Sequence, residues 1–235
     1  MNAAVVDAPR LPRRPGPARA RFLAWCALGG VAVYAAIDVL LAFLRPGYSL
    51  IYNAESDYGR GPWYWVMDAN FLLRCALSLA LVGALAQAAR RDSAPDADGR
   101  ARAGHPDADG RGRAGRILLV IWAACSGLLA FFADDIEGQP VHFSGGVHLL
   151  LAFIAFPCVA VGTILISSSL WNDQARRNVR AALLGVSIAG AAAFLLLGTA
   201  FGHKHAPGGL YERIFLGLEL LWIALAAAGL IRTAV

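Results

Sequence analysis

Six long apolar runs constrain this chain more than any other feature. They cover roughly residues 22–44, 63–88, 117–133, 147–170, 181–201 and 213–231. Apart from the short third run, each supplies the ~20 residues a helix needs to cross about 30 Å of hydrocarbon. A segment that crosses lipid must satisfy its own backbone N–H and C=O groups, so each run is expected as an α-helix. The fold class that follows is all-α, a polytopic six-helix transmembrane bundle. The organisation expected is a basic cytoplasmic tail over 1–21 and a six-span membrane domain over 22–235. A disordered cytoplasmic linker at about 90–116 is expected within that domain.

Composition agrees, since 58% of residues are hydrophobic, only 16% are charged and the mean hydropathy is +0.55, outside the range of soluble domains. The five arginines before Phe22 resemble the start of a signal peptide. The apolar run behind them is too long for one and contains Asp38, so it reads as an uncleaved first span. The four cysteines, Cys26, Cys75, Cys125 and Cys158, all lie in apolar runs without a CxxC pair. They read as small packing residues, not as a disulfide framework.

Charge sorting sets the expected orientation. Of the 21 Lys and Arg residues, sixteen lie in the N-terminal tail, in 89–116, in 171–180 and at the C-terminus. Four (Arg45, Arg60, Lys204 and Arg213) lie in the alternate connections, and Arg74 is inside a span. This bias places both termini in the cytoplasm of a bacterial or archaeal inner membrane. The net charge of +5 does not indicate nucleic acid, because the basic residues are sorted by side and mixed with acids. Segment 89–116 carries a tandem repeat, PDADGRARAG from Pro95 and PDADGRGRAG from Pro106. Its Gly, Pro and charge content reads as a linker, and it lacks the Glu that closes a calcium loop.

Polar residues collect at the opposite side. The outer connections hold Glu55, Ser56, Asp57, Asp134, Asp135, His142, His203 and His205. Asp38, Asp68, Asn70, Arg74, His148 and Glu219 lie within the outer halves of spans or near the midplane. A charge there costs about 2.5–3.5 kcal/mol on the mildest scale, so these groups are expected to face the bundle interior and one another. Asn70 and Arg74 are spaced i, i+4 and Glu212 and Glu219 i, i+7, which puts each pair on one helix face. The guanidinium of Arg74 suits Asp68, Glu219 or an anionic ligand.

Three segments, taken together, resemble the DUF998 family of prokaryotic polytopic membrane proteins, and more distantly the Frag1/DRAM/Sfk1-like proteins. They are Arg45-Pro-Gly-Tyr-Ser through Glu55-Ser-Asp-Tyr-Gly-Arg-Gly-Pro62 with Asn70-Phe71, Phe132-Ala-Asp-Asp135 with Gly145-Gly-Val-His148, and Gly208-Gly-Leu-Tyr-Glu-Arg213 with Trp222. The family's pattern has Ile before Ser56 and Leu after Asp57, where this chain has Glu55 and Tyr58. The resemblance implies six helices and carries no assigned activity.

The chemistry points first to an enzyme acting on a lipid or isoprenoid. Asp68, Glu219, Asp134, Ser56, Asp57 and Arg74 are the candidate catalytic residues. Asp38, Asn70, Trp63, Tyr211, Glu212 and Arg213 are candidates for substrate binding. Buried carboxylates can serve as general acids, and membrane terpene cyclases work in this way. Metal assistance by zinc or another divalent ion would fall to His148, His203 and His205, although no zinc spacing signature is present. Ser56 and Asp57 near histidines are similar to the Ser, Asp and His set of alkaline ceramidase-like hydrolases. Two other readings stand beside the enzyme. The polar groups form a closed cluster in a non-catalytic lipid-binding, sensing or scaffold protein, or they serve a small proton-coupled transporter. Ser56 alone reads as a cap or turn former, His148 as a bonded core histidine, and Trp63 as an interface anchor.

Overall fold

The structure is a computed structural model that describes residues 17–92, 106–135, 140, 142–170, 177–200, 203 and 206–233. It is all-helical across those residues. The helices are α1 (Pro17–Leu44), α2 (Tyr64–Asp92), α3 (Pro106–Leu129), α4 (Phe143–Ser169), α5 (Arg177–Ala200) and α6 (Gly208–Thr233), with a short 3-10 turn at Glu55–Gly59 between α1 and α2. All six α-helices are long and apolar enough to cross a membrane. Each packs against the next in sequence, and α6 returns to α1, so the helices form a closed ring. The connections α1–α2, α3–α4 and α5–α6 share one end of the ring, called here the cavity end.

Lipid is as apolar as leucine, so close packing and interhelical hydrogen bonds hold such a ring together. The two fully buried tryptophans show this. Trp122 Nε1 on α3 donates to Ser78 Oγ on α2 at 3.2 Å, and Trp222 Nε1 on α6 donates to Ser167 Oγ on α4 at 2.9 Å. Ser167 Oγ in turn lies 3.1 Å from Ser187 Oγ on α5. Each such bond contributes roughly 0.6–1.7 kcal/mol in a membrane. The four cysteines are free.

Helix α3 begins at Pro106, inside the segment the sequence marks as linker. Packing explains the difference. Gly112 and Gly115 of the second repeat unit are buried, and a Cβ on Gly115 would stand 2.8 Å from the Gly162 carbonyl oxygen of α4. The small residues that read as disorder are those that let two backbones touch. Pro106 also suits a first helical position, where its missing N–H has no partner to lose. The first repeat unit and the tail over 1–16 lie outside the described residues.

Glu219 has an unexpected position. It is buried, neither carboxyl oxygen has a hydrogen-bond partner among the described residues, and its Oε1 faces Gly190 of α5, where a Cβ would come within 2.7 Å. A buried polar group without a partner costs about 1–3 kcal/mol. Glu219→Leu is therefore expected to raise stability by about 1–3 kcal/mol, measured as thermal unfolding in neutral detergent. A fall would mean that the carboxyl has a structural role its surroundings do not reveal.

Candidate functional site

The loop after α1 builds the roof of the site. Tyr48 and Tyr58 stack with ring centroids 4.1 Å apart. Burial, the largest influence, pushes both phenols above their ordinary value, so they stay protonated at neutral pH. Arg213 of α6 holds the loop down. It donates to Asn53 O at 2.8 Å, to Gly209 O at 3.0 Å and to the Tyr48 hydroxyl at 2.7 Å, and its guanidinium lies over both tyrosine rings. Leu210 N donates to Ile51 O at 2.9 Å. Gly209 is essential to this contact, because a Cβ there would sit 2.1 Å from Asn53 O.

The clamp sets the 3-10 turn over a polar cluster. Glu55 N–H donates to Glu212 Oε2 at 2.8 Å, and the Tyr34 hydroxyl donates to Glu55 Oε1. Arg74 Nη1 donates to the Tyr34 oxygen at 3.2 Å and Arg74 Nε to Ser126 Oγ at 3.2 Å. The same guanidinium lies 4.8–5.8 Å from the ring centroids of Trp122, Phe71 and Tyr34. Arg74 and Glu55 are each only 3% exposed, so they depend on these partners. Beside them, Ser56 Oγ donates to Asp134 Oδ2 at 3.0 Å. His148 Nδ1 lies 2.8 Å from Phe132 O, which makes Nδ1 the protonated nitrogen, and its Nε2 is 4.0 Å from Asp134 Oδ2.

Below the cluster is a cavity of about 400 Å³, within the usual range for small-molecule sites. Glu55, Ser56, Arg74, Asp134, His148 and Glu212 line its polar part, and Phe71, Phe153, Phe156, Phe194, Leu197 and Leu216 its apolar part. Leu149 and Phe153 of α4 line it while 40% and 55% exposed, and Gly198 of α5 lines it and is also exposed. The cavity therefore reaches the lipid-facing surface between α4 and α5. Arg74 is ten residues into α2, about 15 Å along it, so the cavity runs from the loops toward mid-membrane depth.

The other expected site residues fall elsewhere. Asp68 is half-buried on α2 and Glu219 faces α5, and neither lines the cavity. The expected pairing of Arg74 with these two carboxylates is corrected accordingly, since Arg74 bonds Tyr34 and Ser126. Asp57 pairs with Arg60. Asn70 is buried, with Nδ2 3.5 Å from Tyr34 O and Oδ1 without a partner among the described residues. Asp38 is half-buried, and its Oδ1 also lacks one among them. Trp63 is exposed beside Trp65, and Tyr211 lies outside the lining. His203 is exposed and His205 lies outside the described residues. Among the described residues no three His, Cys, Asp or Glu side chains are placed to hold a metal ion, and Nδ1 of His148 is already engaged. Glu55, Tyr34 and the phenylalanines are members the candidate set lacked.

At the cavity end Asp135 ties the segment after α3 to the start of α4. Asp135 accepts from the His142 backbone N–H at 2.9 Å, lies 3.0 Å from His142 Nδ1, and receives Arg60 at its backbone oxygen. The His142 N–H, foremost, holds its carboxyl below the ordinary carboxylate range. A carboxyl depressed by folding contributes stability above its unfolded value, and that contribution is lost as pH falls through the lower folded value. Hydrogen exchange at the His142 amide should accelerate specifically as pH drops below the ordinary Asp range. Asp135→Asn should show fast exchange already at neutral pH.

These features define a class, a multi-pass membrane protein with a polar-capped cavity open between two helices. The chain belongs to the DUF998 family, described as a protein family of unknown function, whose model matches residues 27–229. Comparison with curated proteins and with solved structures finds no match.

Proposed function

We propose that this protein binds a membrane amphiphile, with the head group under the Glu55–Glu212 roof and the apolar chain among the phenylalanines. The observation that carries this reading is the cavity itself, polar at one end, aromatic at the other and open sideways where a lipid chain would enter. The positive-inside charge pattern supports a cavity end facing away from the cytoplasm, with both termini cytoplasmic and the chain in an inner membrane. The bound molecule is then a lipid or isoprenoid-like compound of the outer leaflet.

Gly198 supplies the test. A Cβ added there meets nothing within 4 Å, so Gly198→Trp can block the opening without disturbing the core. Protein purified in mild detergent should carry a bound amphiphile by native mass spectrometry. The Gly198→Trp variant, folded to the same extent, should retain about a tenth or less. Wild-type protein that carries no amphiphile and takes up none from added lipid would contradict the reading.

Ser56, Asp134 and His148 favour a second reading on the same cavity, an acid–base enzyme acting on the bound molecule. Ser56 Oγ already directs its proton at Asp134, and Nε2 of His148 lies 4.0 Å from the same carboxylate. A hydroxyl nucleophile beside a base and a proton carrier is the set acyl transfer uses. Turnover of fluorogenic ester lipids, abolished in Ser56→Ala and His148→Gln, would support it. Wild-type protein that binds such lipids without turnover would leave binding as the function.

A further inference from the structure

We infer that the head group this cavity accepts is cationic, an alkylammonium carried on an apolar chain, an inference that rests on the amphiphile reading above. Among the described residues three carboxyl groups line the cavity (Glu55, Asp134 and Glu212) against one guanidinium, Arg74. Even with His148 counted as a base, acidic groups outnumber basic ones in this lining.

Arg74 offers little to an anion. It is 3% exposed, it donates to Tyr34 and Ser126, and three aromatic rings surround its guanidinium. The carboxylates, by contrast, have capacity to spare. Among the described residues Glu55 is reached only at Oε1 and Glu212 only at Oε2, so the second oxygen of each receives no hydrogen bond. Neither atom is among the fully enclosed unpaired ones. Both side chains are more than nine-tenths buried and both line the cavity, so their open oxygens face it. An anionic head would meet that surplus in a low-dielectric site, where like charges repel far more than in water.

The aromatic lining points the same way. Phe71 borders the cavity at its polar end, beside His148, and a ring face there attracts a desolvated ammonium. Ser56 is the one aliphatic hydroxyl in the lining, a poor set of donors for a phosphate or a sugar. Carboxyl groups beside an aromatic ring are surroundings that suit a quaternary ammonium.

Four probes test this on the full chain in neutral maltoside detergent. They are dodecyltrimethylammonium, dodecylphosphocholine and laurate, which carry chains of like length, and tetramethylammonium, which has the head alone. Dodecyltrimethylammonium should bind about tenfold or more tighter than laurate, with dodecylphosphocholine between them. Tetramethylammonium should fail to compete at a hundredfold higher concentration, which separates a membrane amphiphile from a soluble amine. Glu212→Gln and Asp134→Asn, each keeping an acceptor in place, should shrink the cation preference severalfold while leaving laurate binding unchanged or tighter. Equal binding of cation and anion, or tighter binding of laurate, overturns the charge inference and leaves the amphiphile reading intact. If none of the chain-bearing probes saturates, both fall. Should one variant fail to fold, the other reads the same difference.

Discussion

Arg74→Ala is expected to destabilise the protein by about 3–5 kcal/mol, the cost of removing one member of a buried charged network. Without Arg74, the Tyr34 hydroxyl and Ser126 lose the donor that joins α1, α2 and α3. Glu55 and Glu212 then keep Arg213 as their remaining nearby guanidinium. The space left among Trp122, Phe71 and Tyr34 adds a cavity term. Arg74→Lys should recover part of the loss, since it keeps the charge but neither the planar fork nor the stacking on three rings. Thermal unfolding in detergent measures both. A loss under about 1 kcal/mol for Arg74→Ala would show that the network does not hold the helices together.

Gly209→Ala should have the next largest effect, on both stability and binding. The added Cβ would stand 2.1 Å from Asn53 O and 2.7 Å from Asn53 C. Backbone cannot swing aside as a side-chain tip can, so the whole loop must lift. Overpacking of this kind costs about 1–3 kcal/mol. The lift moves Glu55 and Ser56 away from Glu212 and Asp134, so amphiphile affinity should fall about tenfold or more. Gly208→Ala is the matched control, since its Cβ would lie 3.8 Å from the Ala200 Cβ, an ordinary contact. Equal effects of the two substitutions on affinity would contradict the docking of this loop as the basis of the site.

The paired glycine effects also show what could be read from sequence. The Gly208-Gly209 and Gly145-Gly146 pairs are visible as motif elements. Their physical meaning, a loop backbone against Gly209 and the Asp135 carboxylate against Gly145, emerges only in three dimensions. The six spans were legible because hydrocarbon imposes length and apolarity on each segment separately. The start of α3 was not, because the glycines of a packed interface and those of a linker look alike in one dimension.

For the site, the candidate residues were legible only in part. Arg74, Glu212 and His148, each singled out in the sequence, line one cavity. Glu219 shares a heptad spacing with Glu212, yet two turns deeper on α6 its neighbour is α5 and no longer the cavity. A helical spacing fixes a face but not what that face meets at each level. Tyr34 and the cavity phenylalanines were hidden for a different reason. An aromatic ring inside an apolar run reads the same whether it faces lipid or lines a chamber. Asp38 drew notice one turn away from Tyr34 only because it carries a charge.

Photolabelling tests the cavity most directly. A dodecyl amphiphile with a diazirine midway along its chain, irradiated with the full-length protein and mapped by peptide mass spectrometry, should mark Phe153, Phe156, Phe194 or Leu197. Marking should fall when unlabelled amphiphile is in excess. Label spread instead over outward residues such as Phe22, Phe43 and Leu195, which are exposed on the bundle, and indifferent to competitor, would mean that no chain enters between α4 and α5.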